Sequence, residues 1–175
     1  METLADRRRR FREQMNRREA MIVPGAGNAL TARVIADRQF EAVYVTGAGI
    51  ANTHLGTPDI GLVTLTELAA TVSTIAEICQ LPLVVDIDTG FGNAINTRRT
   101  VRLIERAGGF AMQIEDQVFP KKCGHFSGKA VIPVEEALSK IKAAVDARED
   151  ENTMIIARTD ARAIDGLSLI HISSP

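Results

Sequence analysis

Aromatic side chains are scarce in this chain: 175 residues include no tryptophan, one tyrosine and six phenylalanines. Only Phe11 stands among the arginines near the amino end, and one ring is too few for a surface that stacks nucleic-acid bases. Cysteine is scarcer still, and two residues, Cys79 and Cys123, are too few for a disulfide framework. Long apolar runs are missing too, so neither a membrane span nor a signal-peptide core is expected. Charge of one sign is not in excess: 21 basic against 22 acidic residues leave a formal net charge of -1, and no global field steers a polyanion. These absences lead to the expectation of a cytoplasmic, reduced protein with neither nucleic acid nor membrane as partner. What is present, 45% hydrophobic and 25% charged residues, suits one globular domain with a sizeable core.

The stretch around which the chain is organised is Leu83-Val84-Val85-Asp86-Ile87-Asp88-Thr89-Gly90-Phe91-Gly92. Its apolar β-branched start predicts a buried strand, and a period of two puts Asp86 and Asp88 on one face. Two like charges at the end of a buried strand are costly unless a cation or a shared proton offsets them, and a hard, oxygen-liking divalent ion is the natural partner. The other reading is a strand exit whose acids cap the next helix. Thr89 to Gly92 is then the turn at the carboxyl end of the strand, where α/β folds place their sites.

From the start, Thr3 caps a helix with a stripe of Leu4, Phe11 and Met15, and Arg7 to Arg10, Arg12, Arg17 and Arg18 read as its solvated face. A strand over Met21–Val23 and a helix over Ala29–Ala36, buried through Leu30, Val34 and Ile35, form a first unit. A second strand, Ala42–Val45, exits through Thr46-Gly47-Ala48-Gly49. Neither glycine pair completes Gly-x-Gly-x-x-Gly, so a dinucleotide fingerprint is rejected; the glycines either offer N–H groups to an anion or make a plain turn. An irregular stretch from Ile50 to Val63 follows, with His54 and with Asp59, which after Pro58 reads either as turn chemistry or as a third acid for the cation. Thr66 caps a helix along Leu68, Val72, Ile75 and Cys79, which makes Cys79 a core thiol. Asn96 caps another through Val101, Ile104 and Ala107, closed by Gly108-Gly109. The strand Phe110–Ile114 again ends in acid, at Glu115. Pro133 to Arg148 is a helix with Val134, Leu138, Ile141 and Val145 on one face. Met154 begins a fifth strand that ends at Arg158, either a carboxylate clamp or half of a structural salt bridge.

Lys121-Lys122-Cys123-Gly124-His125 lies on the long connection after the fourth strand. Two lysines and a histidine around one thiol favour its thiolate, and Gly124 lets the segment move as a lid over a rim site. Cys123 is therefore the candidate proton shuttle, with Lys121 and His125 tuning it.

Asp86-Ile87-Asp88-Thr89-Gly90-Phe91-Gly92, Ile114-Glu115-Asp116-Gln117, Lys121-Lys122-Cys123-Gly124-His125 and Ile156-Ala157-Arg158-Thr159-Asp160, in this order, resemble the isocitrate lyase and phosphoenolpyruvate mutase superfamily. The likeness runs from Phe11 to Gly166 and is greatest to the methylisocitrate lyase branch. It implies an α/β chain of the (β/α)8 TIM-barrel type with Mg2+, or Mn2+ in its place, at the carboxyl ends of the strands. The implied reaction cleaves a carbon–carbon bond in a 2-hydroxy di- or tricarboxylate such as 2-methylisocitrate, giving pyruvate or glyoxylate and a succinate-like dicarboxylate. The resemblance also puts Asp88 on the metal with Asp59, Asp86 and Glu115 in its shell. Thr46, Gly47, Gly124 and Arg158 fall on the substrate, and a homotetramer is implied for the complete form. Thr46 stands where many such lyases have serine, and His54 and Thr57 make their loop more polar. Oxaloacetate decarboxylation or phosphonate-forming mutase chemistry on the same barrel, and a catalytically silent fragment, remain as alternatives.

Only the first five strands of a barrel can be counted, whereas closing eight strand–helix units takes roughly 200–250 residues or more. Residues 1–166 therefore read as the amino-terminal part of a barrel domain, and 167–175 as an atypical tail from truncation or an out-of-frame end. A further expectation follows: a fifth strand without its neighbour exposes an apolar edge, and the chain alone is not a stable, active monomer.

Overall fold

The apolar runs become strands that pair in chain order, each parallel to the last, because a helix after each carries the chain back across the sheet. The computed structural model describes residues 2–17, 19–123 and 128–165. Helix α1 (Leu4–Asn16) leads to β1 (Gly25–Ala26), α2 (Ala29–Asp37), β2 (Val43–Val45) and α3 (Gly47–Ile50), which runs into a π-helical turn over Ala51–Leu55. Then come α4 (Leu65–Ile78), β3 (Leu83–Asp86), α5 (Ala94–Arg106), β4 (Ala111–Glu115), α6 (Val134–Ala147), β5 (Met154–Arg158) and α7 (Ala161–Asp165). The sheet order is β1-β2-β3-β4-β5. The 167–175 tail, Gly124 and His125 lie outside the described residues. No helix among the described residues is long and apolar enough to cross a membrane.

Period-two alternation sorts each strand between two environments. Val43, Val45, Leu83, Val85, Met112 and Ile114 face the helices and pack with Leu68, Val72, Ile75, Val101 and Ile104. The alternate residues face the concave side, where Val84 and Ala111 join Tyr44, Met154 and Ile156 above Phe11 and Phe110. Gly25, Tyr44, Val84, Ala111 and Met154 are in register across all five strands, a layer of the kind that fills a barrel interior. One layer higher stand Asp86, Gln113 and Ile156, and above them Glu115 beside Arg158. The concave face thus changes from apolar to charged toward the carboxyl ends. As expected, β5 pairs on one side alone and its residues are partly exposed.

Several local expectations are corrected. The first strand forms at Gly25–Ala26, not Met21–Val23, while Met21 and Val23 pack partly buried in the concave cluster. The helix expected to start after Thr66 is capped by Thr64, whose box partner Glu67 stands at the third helical position. Asn96 likewise is the box partner of the true cap, Asn93. The stretch after Ile50 is helical at first, closed by left-handed Gly56. On α2 and α6 the buried face is rotated: Ala32 and Ile35, and Lys140, Ala144 and Ala147, face inward. Leu30, Val34, Val134, Leu138 and Val145 are exposed instead. Small residues let neighbouring helices approach, and the larger apolar side chains are turned out.

The arginine-rich face of α1 is not wholly solvated either. Phe11 is buried, Leu4 and Met15 are exposed, and Arg8 is buried. Arg8 Nη2 donates to the carbonyls of Glu105 (2.8 Å) and Gly109 (3.0 Å), and Nη1 lies 3.7 Å from Glu105 and 3.6 Å from Asp150. Glu105 in turn accepts from Glu149 N (2.7 Å), Asp150 N (2.9 Å) and Thr153 Oγ1 (2.6 Å). This network ties α1 to the end of α5 and to the turn before β5.

Candidate active site

Alternation continues beyond β3: Ile87 is fully buried among the helix-facing residues, so Asp86 and Asp88 share the concave side. Asp88 adopts a left-handed backbone (φ 47°) and begins the tight turn through Gly90 and Phe91. Gly90 N donates to Ile87 O (2.9 Å) and Thr100 Oγ1 to Gly90 O (3.1 Å), which fixes the turn to α5. Glu115 N donates to Asp88 O (2.9 Å), bringing the end of β4 to the same rim.

Lys121 reaches into this rim with its side chain only 5% exposed, its Nζ 2.7 Å from Asp59 Oδ1 and 2.7 Å from Asp88 Oδ1. Burial pushes Lys121 toward the neutral form, but Asp88 and Asp59 outweigh it and hold its pKa above the ordinary lysine value. Burial, with repulsion from Asp86, raises Asp88 to about 6 even against Lys121. Glu115 is raised to about 7, again mainly by burial, with Arg158 opposing and Asp86 adding. One ammonium does not balance the carboxylates around it.

Arg158, in register with Glu115, lies 3.3 Å from its Oε2 and 3.2 Å from Asp160 Oδ1, so its guanidinium is engaged on two acids. Cys123 N donates to Asp59 O (3.1 Å). Its residue borders a cavity of about 480 Å3 together with Ala48, Asn52, Thr57 and Asp59. His54 lies 3.9 Å from Glu67, away from the acids. A Cβ on Gly47 would sit 3.3 Å from Asp88 Oδ1 and 3.7 Å from Asp86 Oδ2, so the backbone of β2's exit runs directly past the carboxylates. Thr46 uses its hydroxyl to accept from Gly49 N (3.3 Å) at the start of α3. Gly27 and Gly49 meet backbone to backbone, since a Cβ on Gly27 would lie 2.4 Å from Gly49 C. That pair serves the close approach of two strand exits, and Gly47 is the glycine that faces the acids.

The donor set suits Mg2+ rather than a soft metal: carboxylate oxygens at a strand rim, one of which, Asp88 Oδ1, is buried without a well-formed hydrogen bond. Among the described residues no three acids, histidines or cysteines form a ready cage. Mg2+ needs none, because it keeps several waters and takes one or two carboxylates. The residues present therefore fit such an ion, with Lys121 as the internal cation that holds the acids together.

Sequence reasoning gave no role to three further residues here. Gln113 Nε2 donates to the Tyr44 hydroxyl (2.8 Å), which feels the Asp86 carboxylate. Burial and Asp86 raise the Tyr44 pKa, so the phenol stays protonated. Gln117, 2% exposed, joins Glu115, Asp160 and Lys122. The signal was parity: Tyr44 and Gln113 each lie two residues before a rim position and so share its face.

Fold and rim together define a class, the first five units of a (β/α)8 barrel with an acid-rich site at the carboxyl ends of its strands. Residues 11–168 match the phosphoenolpyruvate phosphomutase family, and the chain belongs to it. It is 49% identical over 158 residues to a 2,3-dimethylmalate lyase of Eubacterium barkeri, covering 90% of this chain and 55% of that one. To a 2-methylisocitrate lyase of Aeropyrum pernix it is 51% identical over 156 residues, covering 89% and 50%. A crystal structure of a phosphonopyruvate hydrolase with oxalate and Mg2+ superposes with a TM-score of 0.84 at 28% identity, covering 95% of this chain and 56% of that one. The chain thus spans about half the length of the relatives it matches.

Proposed function

We propose that this chain carries the metal and oxo-acid side of a Mg2+-dependent carbon–carbon lyase. Its substrate would be a 2-hydroxy di- or tricarboxylate of the 2-methylisocitrate type, split into an oxo-acid and a dicarboxylate. The observation that carries this reading is the surplus of carboxylate at the rim: Asp59, Asp86, Asp88 and Glu115 around one buried ammonium, with Asp88 and Glu115 held above their ordinary pKa. Such a surplus asks for a second cation. The names of the relatives, lyases of dimethylmalate and methylisocitrate, support the same reaction class.

Asp88 would hold the ion, with Asp86, Asp59 and Glu115 reaching it directly or through water. When bound, Mg2+ supplies Lewis-acid polarisation of the substrate's hydroxyl and of the oxo group that replaces it. Gly47 leaves room for the oxo-acid beside the carboxylates, and Arg158 grips a substrate carboxylate. Bond cleavage leaves an electron pair on carbon, and the Cys123 thiol, held next to Asp59 by its backbone, delivers the proton. Lys121 keeps Asp59 and Asp88 in place, and His125 assists the thiol. Residues 1–166 would be the amino-terminal part of the barrel, which as a complete protein works as a cytoplasmic homotetramer.

The test is oxo-acid release from 2-methylisocitrate and 2,3-dimethylmalate by the full-length protein, with Mg2+ and with excess chelator. Turnover that disappears with chelator and returns with Mg2+ or Mn2+ is expected. Full activity in chelator, or none on either substrate with Mg2+ present, rejects the reading.

A further inference from the structure

Gln117 lies just beyond β4 and makes more side-chain hydrogen bonds across the rim than any catalytic candidate needs. Its Nε2 is within donor distance of Glu115 Oε1 (3.1 Å), Asp160 Oδ2 (2.9 Å) and Lys122 O (3.0 Å). Its Oε1 accepts from Lys122 N (3.0 Å). The backbone at Gln117 is itself fixed by an antiparallel bridge to Val131. The amide nitrogen therefore serves both the two acids that engage Arg158 and the carbonyl of Lys122, the residue between Lys121 and Cys123, while the amide oxygen holds the N–H of Lys122.

We infer that Gln117 is a positioning residue that couples substrate-carboxylate capture by Arg158 to the placement of Lys121 and Cys123. The inference rests on the lyase reading, because it takes Arg158 as the carboxylate grip. A primary amide has two N–H donors, and here three acceptors compete for them. With Arg158 on Glu115 and Asp160, both acids share its charge and Lys122 O keeps a share of the amide. When an incoming carboxylate draws Arg158 away, Glu115 loses its cation and Asp160 keeps only Lys129, whose Nζ is 3.3 Å from its Oδ2, so the two acids claim the N–H groups more strongly. Lys122 O is then released, and the backbone on which Lys121 and Cys123 stand shifts with it. Glutamate cannot do this, since it donates nothing when ionised and adds a third negative charge; leucine fills the space but makes none of the bonds.

The experiment uses the full-length protein with Mg2+ and follows alkylation of Cys123 by iodoacetamide, with and without pyruvate as the carboxylate probe; Cys79 is buried in the core. Pyruvate is expected to change the rate about tenfold in the wild type, within the range of site-to-site couplings, and less than about twofold in Gln117→Leu. Gln117→Glu is read in the same way if the leucine variant does not melt cooperatively. In turnover, Gln117→Leu combined with Arg158→Lys should cost no more than the worse single variant, as for residues that act as a unit. An equal pyruvate effect in wild type and both variants, no effect in the wild type, or independent kinetic costs overturns the coupling. Oxo-acid release by the wild type separates the two failures: release without coupling rejects the role of Gln117 alone, and no release rejects the lyase reading and this role with it.

Discussion

Buried charge occurs at both ends of the sheet, and the two ends treat it differently. At the base, Arg8 meets Glu105 and Asp150, and Glu105 has each oxygen supplied by hydrogen bonds from Glu149, Asp150 and Thr153. At the rim, Asp59, Asp86, Asp88 and Glu115 gather around Lys121, and Asp88 and Glu115 are pushed toward protonation. A network satisfied except at Arg8 Nε joins α1, α5 and the turn before β5. The rim carries the surplus of acid that the proposed second cation would offset. Strain of this kind at one end is sustainable because a buried apolar core lies between the two ends.

The largest effect is expected from breaking the rim. Asp88→Asn takes away the central carboxylate, and with it several kcal/mol of charge stabilisation, so oxo-acid release should fall roughly ten-thousandfold. The same change relieves repulsion with Asp86, so the melting temperature without metal should hold or rise. A fall in stability with turnover retained would reverse the roles assigned to the two ends. Next comes Cys123→Ser, expected to lower turnover roughly a hundredfold to ten-thousandfold while Mg2+ affinity, measured by calorimetry, stays near wild type. Near-normal cleavage by this variant would point to chemistry in which the metal suffices, such as decarboxylation.

The rim was more legible in the sequence than the base. Asp86 and Asp88 declare their shared face by spacing alone, and Glu115 repeats the pattern one strand later, because a strand's period of two is local information. Arg8 was hidden in a run of arginines that reads as a solvated face, since its partners Glu105 and Asp150 lie 97 and 142 residues away and nothing local points to them. Helix faces failed for a related reason. On α6 the large apolar residues suggested the buried side, yet Ala144 and Ala147 are what fit against α5. Gln117 stood within a motif without a role, because a glutamine beyond a strand has no pattern of its own; the role proposed for it rests on four hydrogen bonds to three residues that only the fold assembles.

Breaking the base tests the other half of the comparison. Arg8→Met should destabilise the protein by about 3 kcal/mol, the usual cost of leaving a buried acid without its partner. Denaturant melts would measure it, and kcat per folded molecule should change little, since Arg8 is remote from Asp88 in the layer order of the sheet. A loss of turnover that exceeds the loss of folded protein would mean that α1 also shapes the rim.

The smallest effect sharpens the comparison through pH. In metal-free protein Asp88 titrates near 6 instead of 3.8, and Glu115 near 7 instead of 4.5. Between those values the native state holds protons that the unfolded chain has already released. Stability therefore falls as pH rises through that window: the contribution is fully present below about pH 4 and is lost by about pH 7. The melting temperature in chelator should accordingly be several degrees lower at pH 7.5 than at pH 5. Mg2+ binds the ionised acids and not the protonated ones, so adding it should raise the melting temperature more at pH 7.5 than at pH 5 and flatten the profile. Arg8→Met, acting at the base, should lower both curves without changing their slope, whereas Asp88→Asn should remove part of the slope and much of the response to Mg2+. A metal-free profile that rises with pH across this window would mean that the rim acids are already compensated, and the case for a cation site there would lose its electrostatic support.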